Sequence, residues 1–142
     1  MNGQVEPFLT YAILNAVAAF GPNLSLESSC IMNAFEIADI ITQHHEAGRP
    51  YHEFFRTETL SLGLYVIPTG EKDSQSPHTE EEVYYVLEGD GMIRVDDEDR
   101  PVSAGSTIFV GIGVEHRFHS IIQDLKLLVF WAPPWRSGAA VC

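Results

Sequence analysis

The chain has 142 residues, of which 45% are hydrophobic and 20% are charged, as expected for one folded domain with its own core. Its formal net charge of −12 disfavours phosphate backbones and anionic lipid, so neither nucleic acid nor a membrane is expected as a partner. The two cysteines, Cys30 and Cys142, form no metal-binding or disulfide pattern, which is typical of a reducing, cytoplasmic setting.

Residues 1–32 are predicted to form a partly helical extension in front of the folded domain. Residues 8–21 are mostly apolar, but the first Lys or Arg is Arg49, so the positive start of a secretion signal is missing. The apolar run is shorter than a membrane span and is interrupted by Asn15. We therefore expect it to dock as a helix on the domain or on a partner subunit.

A second helix is predicted at the start of the domain proper, which covers residues 33–142. Asn33 suits the N-cap position, Ile37 and Ile40 fall on one helical face, and Gly48 suits the C-terminal end.

From residue 51 onward the hydrophobic period changes to two, which predicts short strands. In the segment LSLGLYVIP, Leu62 and Leu64 alternate with Ser61 and Gly63, as in a half-buried strand. The sequences EGDG and DDEDR are predicted to be hairpin turns between later strands. A succession of strands without intervening helices indicates an all-β sandwich or small barrel.

The last strand is apolar on both faces, which predicts a second layer of contacts. Leu125, Leu127 and Val129 fall on one side, and Leu128 and Phe130 fall on the other. The lumen of a small barrel accepts only one of these faces, so another element or another subunit should cover the second. A homodimer is the simplest prediction.

Two stretches, QSPHTEEEVYYVLEGDG (75–91) and GSTIFVGIGVEHRFHS (105–120), resemble the two motifs of the cupin superfamily. In the first motif, Glu82 and Gly89 stand at the glutamate and the closing glycine, and His78 stands at the second histidine. Ser76 replaces the first histidine. In the second motif Gly105, Gly113 and His116 match, whereas Gly111 and Ser120 stand where proline and asparagine are usual.

The resemblance implies a single-domain jelly-roll (cupin) β-barrel with one or two N-terminal helices, its motif-bearing core covering about residues 50–133. It also implies a divalent metal ion, either iron, manganese, nickel or zinc, held by His78, Glu82 and His116. Two histidines and one carboxylate are the ligands of non-haem iron sites with open positions for substrate. Gln75 is a candidate fourth ligand if a bulge shifts the strand phase.

Two further roles are left open by the sequence. Tyr84 shares a strand face with Glu82, where it would serve as a catalytic acid, as a hydrogen-bond donor to an oxyanion, or simply as a filler of the barrel. Glu80 and Glu81 are expected to be solvated acids on a loop rather than metal ligands.

The predicted function is a metal-binding cupin for a small molecule, with a non-haem dioxygenase or an isomerase acting on a small organic acid or aromatic compound as the enzymatic forms. The alternative is a non-catalytic barrel that binds a ligand or a partner, with a structural metal or none. The sequence does not decide whether turnover occurs. It contains no G-x-S-x-G elbow, so no serine hydrolase is predicted.

Overall fold

The computed structural model describes residues 32–138. The predicted extension, apart from Met32, lies outside the described residues, and the described residues from Ala34 onward belong to one compact unit. The elements are one helix, α1 (Ile37–Ala47), and six strands, β1 (Tyr51–Arg56), β2 (Ser61–Ile67), β3 (Glu81–Val95), β4 (Glu98–Ser103), β5 (Thr107–Val110) and β6 (His116–Ala132). The all-β prediction is confirmed. No helix among residues 32–138 is long and apolar enough to span a membrane.

Helix α1 starts later than its sequence pattern predicts. The N-cap residue is Glu36, whose side chain makes no capping hydrogen bond, so the prediction of Asn33 as the N-cap is wrong. The C-terminal end is as predicted, because Gly48 adopts a left-handed conformation (φ 61°) and donates its backbone N–H to the carbonyl of His44. Ile40 is the helical residue that is buried.

The strands pair antiparallel in the order β1-β2-β6-β3-β4, and β5 pairs with the other edge of the first half of β3. The longest ladder joins β3 to β6 and runs from the pair Glu81–Ala132 to the pair Val95–His116. Three register shifts interrupt this ladder around residues 86–92. Such irregularities increase bending and twist, so both strands can curl around a closed core.

The predicted hairpin at EGDG is wrong, because residues 88–91 lie inside the continuous strand β3. Gly89 supplies the bend with a φ of 100°, and an added Cβ would lie 2.3 Å from the carbonyl oxygen of Asp124. The second predicted turn is confirmed, because Asp96 and Asp97 alone connect β3 to β4.

The core is filled by the inward faces of β2, β3 and β6 together with parts of β4 and β5. In β6 the predicted face is the buried one, with Leu125, Leu127 and Val129 at 0–1% exposure. In β2 the predicted half-buried alternation is wrong, since Leu64 and Tyr65 on opposite faces are both buried whereas Leu62 is only half-buried.

The outward face of the barrel keeps exposed aromatic side chains. Phe109 on β5 is 60% exposed and Tyr85 on β3 is 39% exposed. Large exposed apolar side chains of this kind are common at subunit contacts. The homodimer therefore stays a prediction.

Candidate metal centre

Strands β3 and β6 bring Glu82 and His116 together by curling. The residue paired with His116 is Val95, which lies thirteen residues beyond Glu82 on β3. In a flat ladder that separation would be roughly 40 Å. In the structure His116 Nε2 lies 3.2 Å from Glu82 Oε2, so the two ends of one ladder meet inside the barrel.

His78 reaches the same point from the loop that precedes β3. Its backbone carbonyl accepts a hydrogen bond from the N–H of Gly113 at 2.8 Å, which ties the first motif to the second. Its Nε2 lies 2.9 Å from Glu82 Oε2, and its ring centroid lies 5.0 Å from that of His116. One ligand atom from each of His78, Glu82 and His116 lies within 4.8 Å of the other two.

Backbone carbonyls fix which nitrogen of each imidazole carries its proton. His78 Nδ1 lies 2.7 Å from the carbonyl oxygen of Glu80, and His116 Nδ1 lies 2.9 Å from that of Val114. A carbonyl oxygen can only accept, so each Nδ1 carries a hydrogen and each neutral ring turns the lone pair of Nε2 inward. Metal-binding histidines are oriented by this type of second hydrogen bond.

Three hydrogen-bond acceptors therefore converge: Nε2 of His78, Nε2 of His116 and a carboxylate oxygen of Glu82. None of them carries a hydrogen, because an ionised carboxylate also only accepts. Its second oxygen, Oε1, is buried and has no hydrogen-bond partner among the described residues. Buried acceptors that face one another require a proton or a cation between them. A divalent ion fits this donor set, since imidazole nitrogen and carboxylate oxygen are ligands for first-row metals.

The electrostatics of His116 favour positive charge at this point. Burial by itself lowers the pKa of the imidazole, but the protonated ring would donate hydrogen bonds to Glu82 and to the Val114 carbonyl and would be attracted by the charges of Glu82 and Asp73, and these effects outweigh burial. The net effect raises the pKa of His116 above its ordinary value.

Tyr84 and Gln75 extend the site by two hydrogen bonds. The Tyr84 hydroxyl donates to Gln75 Oε1 at 2.6 Å and lies 3.1 Å from His116 Nε2. Burial, followed by the charge of Glu82, raises the pKa of Tyr84 well above its ordinary value, so the phenol keeps its proton. Ser76 is exposed, so Gln75 rather than Ser76 occupies the position next to the site.

Asp73 fixes the orientation of Gln75 and is a residue that the sequence pattern missed. Its Oδ2 accepts from Gln75 Nε2 and from the backbone N–H of Phe118, both at 2.8 Å, and its Oδ1 accepts from the Tyr65 hydroxyl at 2.8 Å. Asp73 thus holds the amide nitrogen of Gln75 away from Tyr84, and Gln75 Oε1 faces the Tyr84 hydroxyl. Asp73 lies in a loop without hydrophobic periodicity, 45 residues before its partner Phe118, so no local signal marks it.

Glu80 differs from its prediction. It was expected to be solvated, but it is only 3% exposed. Its Oε2 accepts from the backbone N–H of Thr79 at 3.0 Å, while its own carbonyl orients His78. Glu81 is exposed, as predicted. Glu80 therefore shapes the loop that carries His78, although it lies outside the group of converging donors.

Aromatic side chains close the site. The Trp131 ring stands edge-on to His78 at 4.5 Å between centroids, and its Nε1–H donates to the Tyr51 hydroxyl at 3.1 Å. Phe118 packs edge-on to Tyr84 at 5.1 Å. As a result the side chains of Glu82 and His116 are 0% exposed, and that of His78 is 11% exposed.

Comparison with known proteins agrees with this fold. Residues 63–132 match the family described as Cupin domain. An uncharacterized protein of Streptomyces coelicolor, SCO3923, is 39% identical over 103 residues, which cover 72% of this chain and 98% of that protein. A protein of Streptomyces cyaneus named polyketide synthase CurC is 31% identical over 74 residues, covering 51% of this chain and 48% of that protein.

A solved structure described as an RmlC-like cupin from Shewanella frigidimarina superposes with a TM-score of 0.56. It is 20% identical and matches 63% of this chain and 79% of its own. Together with the motifs carried by β3 and β6, these findings define the class: the chain belongs to the cupin superfamily.

Proposed function

We propose that His78, Glu82 and His116 bind one divalent first-row metal ion, and that the bound ion acts on a small organic molecule. The observation that carries this proposal is the convergence of two imidazole lone pairs on one carboxylate whose other oxygen is buried without a partner. The carbonyl bonds to both Nδ1 atoms orient the two imidazoles so that each Nε2 faces the point where an ion would bind. Gln75 remains the predicted fourth donor.

A bound ion would supply Lewis acidity toward a carbonyl oxygen or, as iron, redox chemistry with dioxygen, which separates an isomerase from a dioxygenase. The residues of the chain would supply hydrogen bonding and exclude water. Tyr84 holds a proton at its hydroxyl next to His116 and donates it to Gln75, so this O–H could donate to a substrate oxygen by turning away from Gln75. Trp131 and Phe118 exclude water from the inner walls.

The filled interior supports a small substrate. Tyr65, Tyr84, Phe118 and Trp131 occupy the space beside the site, each at 9% exposure or less. The likeness to a protein named polyketide synthase supports a carbonyl-bearing or aromatic compound as the ligand class. An organic acid or aromatic compound of a few heavy atoms is therefore the substrate class that we propose.

Metal content tests the metal site directly. We expect close to one equivalent of iron, manganese, nickel or zinc in untagged protein purified without chelator, measured by plasma mass spectrometry. His116→Ala should retain less than about a tenth of that, because a lost ligand weakens binding more than the 10–100-fold typical of a lost supporting hydrogen bond.

The matched control is His45→Ala, which removes an exposed histidine near the end of α1, far from the converging donors in sequence. Its metal content should equal that of the wild type. Equal metal content in all three proteins would show that the ion is bound elsewhere. No metal in the wild type, even after reconstitution, would refute the proposal.

The burial of the ligand atoms favours a second candidate, a barrel that binds metal or ligand without turnover. A catalytic site needs an exchangeable position on the ion, whereas a structural site is closed. Because His78 is the most exposed of the three ligands, we expect access from its side.

Water relaxation separates the two candidates. In protein loaded with Mn²⁺, the longitudinal relaxation rate of water should exceed that of Mn²⁺ in an equimolar EDTA complex, if a coordination position exchanges. A rate at or below that of the EDTA complex would identify the closed, non-catalytic site.

A further inference from the structure

A second cluster of chemically active side chains lies on the outer surface of the barrel. His116 and Phe118 point into the core, so His119 faces the opposite side of β6 and is partly exposed. It contacts Ser120, its neighbour in the chain, and Asp99 on β4. These three residues share no hydrogen bond with the metal centre.

Ser120, His119 and Asp99 contact one another in the order of a serine–histidine–aspartate triad. Ser120 Oγ lies 3.1 Å from His119 Nδ1, and His119 Nε2 lies 2.9 Å from Asp99 Oδ1. A carboxylate only accepts, so Nε2 carries the hydrogen of the neutral ring and Nδ1 presents its lone pair to the serine hydroxyl. Nucleophilic serines are activated through this arrangement of base and orienting acid.

The backbone of Ser120 is strained into the position that makes the contact. Adjacent residues of a strand point to opposite faces, so His119 and Ser120 would not meet in a regular β6. Ser120 adopts a φ of 48°, a left-handed conformation that is uncommon for residues other than glycine. Non-glycine residues held there are enriched at functional sites.

Ser120 also lines a groove of about 400 Å³. Met92, Val102 and Ile122 give this groove apolar walls, and the acidic residue Asp90 also lines it. An apolar groove suits a short acyl chain, while the carboxylate disfavours an anionic substrate. Ser120 thus belongs to the triad, has the strained backbone and lines the groove.

We propose that Ser120 is a nucleophile activated by His119 and Asp99, and that this surface site cleaves small uncharged esters. The proton of Ser120 Oγ passes to His119 Nδ1 as Oγ bonds to the ester carbonyl carbon. The ester C–O bond then breaks, and His119 returns the proton to the departing alcohol oxygen. Water next attacks the acyl carbon and gives a proton to His119 Nδ1. The bond between the acyl carbon and Oγ then breaks, His119 returns that proton to Ser120 Oγ, and the carboxylic acid leaves.

Arg94 limits the rate that this site can reach. Its Nε donates to Asp99 Oδ1 at 3.0 Å, and its Nη2 donates to Asp99 Oδ2. The hydrogen bond from Arg94, followed by that from His119, lowers the pKa of Asp99 to about 2, so the carboxylate stays ionised. The guanidinium also offsets part of the negative charge that would stabilise a charged His119. We therefore expect slow turnover of activated esters.

The test is covalent labelling of the full chain by a fluorophosphonate probe, in the presence of EDTA so that the metal site cannot contribute. One probe per chain should attach, and peptide mass spectrometry should locate it at Ser120. Ser120→Gly should lose at least about nine tenths of the label and slow the hydrolysis of 4-nitrophenyl butyrate about 10-fold or more. Glycine adopts the positive φ without strain, so this variant should keep the fold.

His119→Gln should show the same loss, since the base is removed, whereas the exposed Ser74→Ala should label and hydrolyse like the wild type. Label on another residue, no label, or hydrolysis by Ser120→Gly at the wild-type rate would overturn the proposal. Because EDTA is present throughout, these outcomes are independent of whether His78, Glu82 and His116 bind metal.

Discussion

Replacing Glu82 by glutamine is expected to abolish metal binding and, in the same protein, to stabilise the metal-free barrel. Two histidine lone pairs face a carboxylate oxygen at 2.9 and 3.2 Å, and the other oxygen has no partner among the described residues. An amide of the same shape can donate its two hydrogens to the two imidazoles. It also removes a buried charge, whose desolvation amounts to several kcal/mol.

We expect metal affinity at least about 100-fold lower by isothermal titration, because the single anionic ligand is lost. Urea unfolding in EDTA should show a gain of about 1–3 kcal/mol relative to the wild type. Glu81→Gln, one residue away and exposed, should change neither quantity. A loss of stability in metal-free Glu82→Gln would mean that protonated histidines satisfy the carboxylate, and that the cluster is an ionic lock rather than a metal site.

Gly89→Ala is expected to destabilise the barrel by about 3–5 kcal/mol, which combines overpacking with backbone strain. The added Cβ would meet the carbonyl oxygen of Asp124 at 2.3 Å and the Cα of Leu125 at 2.8 Å. Both are backbone atoms of the paired strand, so no side chain can turn away. Thermal unfolding should show a midpoint lower by at least about 10 °C.

Two control substitutions separate overpacking from backbone strain as causes of the stability loss in Gly89→Ala. Gly70 has a comparable φ of 84° but open space around it, so Gly70→Ala measures strain alone, about 1 kcal/mol. Gly111 has its nearest neighbour at 3.6 Å, and no positive φ, so Gly111→Ala should be nearly neutral. If Gly89→Ala cost no more than Gly70→Ala, strand β6 would have room to shift away from β3.

The sequence predicts the parts of the site that lie on regular strands. Alternation along β3 and β6 places Glu82, Tyr84 and His116 on inward faces, and all three are buried. The cupin motifs add His78, which precedes β3. The prediction of an inward orientation is confirmed for Glu82, Tyr84 and His116, because a period of two is a local property that the tertiary structure preserves.

The remaining parts depend on contacts between distant residues. Asp73 and Glu80 look like ordinary loop acids, and their burial follows from partners that only the folded barrel brings near. In β2 the half-buried Leu62 was expected to share the face of Leu64, yet Tyr65 on the other phase is also in the core, because both faces of the strand are covered. The run EGDG has the composition of a turn, but pairing with β6 keeps it extended.

The curled ladder of β3 and β6 has a consequence for the order of folding. Glu82 and His116 sit at opposite ends of the same pairing, so zipping the strands together does not by itself create the site. The sheet must also roll so that the two ends of the ladder meet, and long-range closures of this kind are typically slow. An ion that binds only after this step would hold the barrel shut, adding about 2.7 kcal/mol at a free concentration one hundred times its dissociation constant. The rate of metal uptake during refolding would then measure how fast the barrel closes.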